Sequence, residues 1–66
     1  NLKVFHVHSD LTELIFYKSL VSGKWWVNFS NQKASAKNLL PCSYLDYMKA
    51  VNGELSGRIL KYIRFK

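Results

Sequence analysis

One cysteine, one proline, three glycines and four acidic side chains are all that these 66 residues hold of those types. Cys42 has no partner for an internal disulfide. Even with His6 and His8 beside it, it cannot complete a four-ligand structural zinc site. The fold must therefore be held by packing, which fits a reducing cytoplasm. No apolar run approaches the roughly 18 to 20 residues of a membrane span, and Asn1-Leu2-Lys3 does not open the apolar core of a signal peptide. The expectation is a soluble cytoplasmic domain with no membrane partner, and the absence of an initiating Met leaves a processed product open. There is no internal repeat, low-complexity tract or linker, so residues 1–66 read as a single small domain.

What is present is a globule's composition: 48% hydrophobic residues, with four Phe, four Tyr and two Trp. A chain this short buries only about 60% of the surface its unfolded form exposes, which leaves little room for a deep catalytic cleft. Ten Lys and Arg against four Asp and Glu give a net charge of +6, and the excess is uneven. Residues 1–30 sum to +1, whereas residues 31–66 sum to +5 through Lys33, Lys37, Lys49, Arg58, Lys61, Arg64 and Lys66. A basic half in so small a domain favours polyanions through long-range attraction and counterion release.

Leu2 to Val7 reads as a first strand, stopped by the turn-forming His8-Ser9-Asp10. Thr12 to Phe29 is dense in aromatic and β-branched residues around Ser22-Gly23. It reads as a hairpin with a two-residue loop, because Gly supplies positive φ. That register pairs Leu20 with Trp25, Lys18 with Val27 and Tyr17 with Asn28. It puts Leu14, Phe16, Leu20, Trp25, Val27 and Phe29 on a core face, and Glu13, Tyr17, Ser19, Lys24, Trp26 and Asn28 on an outward one. A competing reading makes Asp10 to Ser22 a helix capped by Asp10 and Glu13 and stopped at Gly23.

Ser30 to Asn38 is polar and reads as a loop or short surface helix, and Leu39-Leu40-Pro41 returns the chain to the core. Tyr44, Leu45, Met48 and Val51 are spaced as one helical stripe ending near Gly53. Arg58 to Lys66 fits a basic last strand through Ile59, Lys61, Ile63 and Phe65. Leu55, Ile59, Tyr62 and Ile63 equally suit a helix. The fold class expected is mainly β, a small SH3-like barrel or β-meander with a short helix, with α+β as the alternative.

The runs His8-Ser9-Asp10, Glu13 to Leu20 and Gly23-Lys24-Trp25-Trp26-Val27 resemble a small bacterial and phage family catalogued as domain of unknown function 1653. Pro41 to Gly53, Arg58 and Tyr62-Ile63 are similar to its closing hairpin. The resemblance implies a five-stranded SH3-like barrel and brings no established activity. Asn28 to Leu40 stands where that family passes directly to proline. Gln32 to Leu39, followed by Ser43-Tyr44-Leu45 and Val51-Asn52-Gly53, resembles the helix-turn-helix of phage repressors, which would imply a DNA-binding regulator, although Leu40-Pro41 interrupts the pattern.

For chemistry the residues offer little. His6 and His8 share one side of a strand, and His-Val-His-Ser-Asp resembles the opening metal motif of the polymerase-and-histidinol-phosphatase family, but a partly exposed strand end explains the pair more simply. Cys42 has no neighbouring base, the four acids form no acid/base pair, and the glycines make no phosphate-cradling pattern. The expectation is a non-enzyme without cofactor or metal. Tyr17 and Trp26, edged by Lys24 and by Arg58, Lys61 and Arg64, combine π-faces with phosphate-tracking cations, as single-strand binders do. The partner expected is nucleic acid, DNA or RNA. A protein-interaction module gripping an acidic protein partner is the alternative, and a helix-turn-helix regulator the third reading.

Overall fold

A computed structural model describes residues 1–9 and 12–64, the side chains of Ile63 and Arg64 excepted. Strands β1 (Leu2–His8), β2 (Glu13–Ser19), β3 (Trp25–Phe29) and β4 (Leu40–Cys42) precede helices α1 (Tyr44–Val51) and α2 (Gly57–Arg64). The four strands form one antiparallel sheet in the order β1-β2-β3-β4. The sheet is open, with β1 and β4 as its edges. The architecture is an antiparallel meander with two short helices, and no fifth strand stands among the described residues.

The β1–β2 connection is tied by Ser9, whose hydroxyl donates to the Thr12 carbonyl at 2.8 Å and accepts from the Thr12 amide at 3.2 Å. β2 is a strand, so the competing helix over Asp10 to Ser22 does not form; Asp10 itself lies outside the described residues. Ile15, Phe16 and Tyr17 carry their bulk well on a pleated surface and poorly on a cylinder.

The hairpin forms, but its loop has four residues, Leu20 to Gly23. Lys18 pairs with Trp25, Tyr17 with Trp26 and Phe16 with Val27, two positions from the expected register. Ser19 decides this, because its hydroxyl accepts from the Val21 and Ser22 amides at 3.3 and 3.1 Å and draws the turn back onto the strand end. Gly23 closes it at φ 77°. Because side chains alternate with a period of two, a slip of two leaves every strand residue on its expected face. Leu20 leaves the core face with the loop and is 60% exposed.

The core face carries Val7, Leu14, Phe16, Trp25, Val27 and Phe29, all buried. Both helices supply the cover. From α1, Tyr47 stacks on Trp25 at 5.2 Å, meets Phe16 edge-on at 5.4 Å and tilts against Phe5 at 5.0 Å. Ala50 beside it is fully buried. The inward stripe of α1 is thus Tyr47 and Ala50. Tyr44, Leu45 and Val51, assigned to that stripe by spacing, are more than half exposed, since a small residue at 50 lets the helix approach on that side instead. Ser43 and Asp46 cap α1 reciprocally, and Gly53, at φ 84°, ends it as Glu54 N–H reaches the Lys49 carbonyl.

Residues 57–64 form a helix in place of the basic strand. Ser56 is the reason: its hydroxyl accepts from the Ile59 amide at 3.3 Å, capping the first turn. Ile59 is fully buried and Tyr62 stacks on Phe29 at 4.9 Å, so residues three apart share the inward face. Gln32 to Leu39 forms turns without a helix, so the first helix of the repressor-like motif does not form there.

Candidate nucleic-acid interface

Two side chains fix α2 against the rest of the molecule. Arg58 Nη1 donates to the Pro41 carbonyl on β4 at 3.1 Å. Tyr62 donates its hydroxyl to the Asn38 carbonyl and lies 3.3 Å from Gln32 Oε1. Burial raises the pKa of that phenol, keeping its proton in place for donation.

The loop on which Tyr62 docks is itself organised. Asn38 Nδ2 donates to the Lys33 carbonyl at 3.0 Å, and the buried Asn28 donates from β3 to the Gln32 and Lys33 carbonyls at 3.2 and 3.3 Å. A polar residue mid-strand thus anchors a polar loop. Lys33 and Lys37, both exposed, thus belong to the loop on which Tyr62 docks the helix that carries exposed Arg58 and Lys61. Among the described residues the one ion pair is His8 Nδ1 with Glu13 Oε1 at 3.4 Å, so none of these four cations is neutralised by a carboxylate.

At the end of the sheet, a shallow groove of about 450 Å³ runs between Gly23 to Trp26 on one side and Pro41 to Ser43 on the other. Lys24 and Trp26 line it, and Arg58 grips its Pro41 wall from behind. Cys42 at its floor is a poor nucleophile: burial first, then the Asp46 carboxylate, push its thiol up to about 12, against a smaller opposite pull from Arg58.

The structure therefore gathers Lys24, Trp26 and Arg58 around β4, with Lys61 one turn along α2 from Arg58. The side chain of Arg64 lies outside the described residues. Tyr17 stands directly opposite Trp26 on the outward face, yet it is only 9% exposed, with Val4 as its other cross-strand neighbour. Side chains opposite one another in a sheet sit about 5 Å apart, so a central tyrosine flanked on both sides has little open ring. Trp26, half-buried, is the aromatic that presents surface.

Lys33 and Lys37 were not among the expected site residues. They sit in a loop with no periodic pattern, and only the Asn28, Asn38 and Tyr62 contacts bring them to α2. His6 and His8 are exposed on β1, and no cluster of three or more metal-ligating side chains occurs among the described residues. No described helix is long and apolar enough to cross a membrane. No family model, curated protein or solved structure matches the chain.

Proposed function

We propose that this chain is a small, non-catalytic binding module for nucleic acid, with the backbone phosphates following Lys33, Lys37, Arg58 and Lys61 and an unpaired base reaching Trp26 beside Lys24. One observation carries the reading. Tyr62 and Arg58 hold α2 against the 32–41 segment, so two stretches of chain that each carry exposed cations are docked together, and none of those cations has a carboxylate partner among the described residues. Such a surface neutralises backbone phosphates and so releases the cations condensed on the nucleic acid, which favours binding. Trp26 adds a π-face beside Lys24 in the groove along β4, which favours single strands over duplex because only unpaired bases stack.

The relation to the SH3-like family belongs to the same proposal and rests on the strand-turn-strand motif from His8 to Val27. The alternative, a protein-interaction module, is favoured by the sheet face opposite the helices, where Leu2 and Val4 are about half exposed.

Fluorescence anisotropy with a labelled single strand and the matching duplex tests the reading. Lys33, Lys37 and Lys61 changed together to Gln should weaken both complexes at fixed salt, and Trp26→Ala should weaken the single-strand complex more. Unchanged affinity in both variants would favour the protein partner, and a pull-down with and without nuclease would then identify the contact as direct.

A further inference from the structure

On the helix-facing side of the sheet, at the end away from α2's docking loop, Lys3 and Lys18 are direct cross-strand partners. Like charges directly opposite each other destabilise a sheet. Neither is neutralised by a carboxylate among the described residues, where the one ion pair joins His8 and Glu13. Both ammonium groups are nevertheless gathered over one aromatic pair. Lys3 Nζ lies 5.9 Å from the Phe5 ring and Lys18 Nζ 5.8 Å from the Trp25 ring, while Phe5 and Trp25 stack at 5.5 Å. Tyr44, 57% exposed, leans on Trp25 at 5.7 Å and offers a ring to solvent beside them.

We propose that Lys3 and Lys18 form a receptor for the phosphate monoester of a nucleotide, with the ring of the ligand against Tyr44. The cations already rest on aromatic faces, so their positions are biased toward a shared anion before any ligand arrives. A monoester carries about 1.5 to 2 negative charges at neutral pH and can answer both ammonium groups, whereas a phosphodiester carries one. This site uses none of Lys33, Lys37, Arg58 and Lys61 and would accept a free nucleotide or the phosphorylated end of a strand.

Titrations followed by NMR decide it, because the ring protons of Phe5 report on this site, the indole N–H of Trp26 on the groove, and the indole N–H of Trp25 on both. Adenosine 5′-monophosphate should shift Trp25 and Phe5 signals saturably. Adenosine, the diester adenylyl-adenosine and inorganic phosphate should each bind at least about fivefold more weakly, since each lacks the second charge or the ring. Lys18→Gln and Lys3→Gln should each weaken the monophosphate about tenfold, a loss of roughly 1.4 kcal/mol, and Lys18→Arg should restore most of it. Changing Lys33, Lys37 and Lys61 together to Gln should leave this binding within twofold even if strand binding is lost. A 5′-phosphorylated trinucleotide that shifts Phe5 as the mononucleotide does would assign the site to strand ends as well; one that does not would restrict it to free nucleotides. Equal binding of adenosine and its monophosphate, or indifference to both glutamine variants, would overturn the proposal.

Discussion

Replacing Trp25 by Ala should strip this domain of much or all of its stability, whereas the same change at Trp26 should cost far less. Trp25 is 7% exposed and is in ring contact with Phe5, Tyr44 and Tyr47, so its loss opens a cavity where the sheet meets α1. Truncating a buried Trp or Phe costs about 3 to 5 kcal/mol. A 66-residue domain has roughly 3 to 10 kcal/mol in total at about 0.05 to 0.15 kcal/mol per residue. The truncation therefore consumes from about a third to all of it. Trp26 lies on the opposite face and is half-buried, so its truncation forfeits about 1 to 2 kcal/mol of burial. Urea titrations followed by far-UV circular dichroism measure both. Trp25→Phe, which keeps a ring against Tyr47, supplies a folded variant with a midpoint between wild type and unfolding. Equal midpoints for the two alanine variants, or a lower one for Trp26→Ala, would show that the two faces of β3 have been assigned the wrong way round.

Three further outcomes follow from local contacts. Cys42 and Tyr62 both titrate higher in the folded chain than in the unfolded one, so the stabilisation is complete below the ordinary thiol value of 9.0 and is lost as pH rises toward about 12. Melting temperature should fall across that window, and Cys42→Ala should flatten the fall. Gly23→Ala meets no atom within 4 Å, so its cost is purely that of a left-handed backbone, about 1 to 2 kcal/mol by chemical denaturation; a cost near zero would mean that the turn does not hold Gly23 at positive φ. Tyr62→Phe keeps the stack on Phe29 and removes the donor to Asn38, costing about 0.5 to 1.5 kcal/mol and speeding amide exchange in the 32–39 loop. Unchanged exchange there would mean that the hydroxyl does not fasten the loop.

The parts of the fold legible in the sequence are those written in local alternation and capping. β1, the β2–β3 hairpin faces and α1 with its Gly53 end all carry such marks. The hairpin register was not legible, because Ser22-Gly23 satisfies a two-residue turn and the decisive contacts come from Ser19, outside it. The inward stripe of α1 was misjudged since Tyr44, Leu45, Met48 and Val51 outweigh Tyr47 and Ala50 in hydrophobicity. What selects the latter pair is the concave aromatic surface of Phe5, Phe16 and Trp25, a tertiary feature. α2 carried a readable signal in Ser56, placed three residues before Ile59, which alternation in Arg58 to Lys66 obscured. Of the proposed interface, the charge excess and Trp26 were legible. The openness of Tyr17 was not, and neither was the docking of the Lys33 and Lys37 loop onto α2, which depends on hydrogen bonds between residues as far as 30 positions apart.

The central claim is that unpaired cations drawn together by α2 meet a phosphate backbone, and the salt dependence of strand binding tests it most directly. Each phosphate contact on a single strand contributes about 0.7 to the slope of log K against log salt concentration. Wild type and the variant with Gln at 33, 37 and 61 should both bind as folded proteins, with the variant's slope shallower by about 2, and the loss should be alike for unrelated sequences. Identical slopes for the two proteins, or wild-type binding no tighter than that of a scrambled peptide of the same charge, would contradict the account.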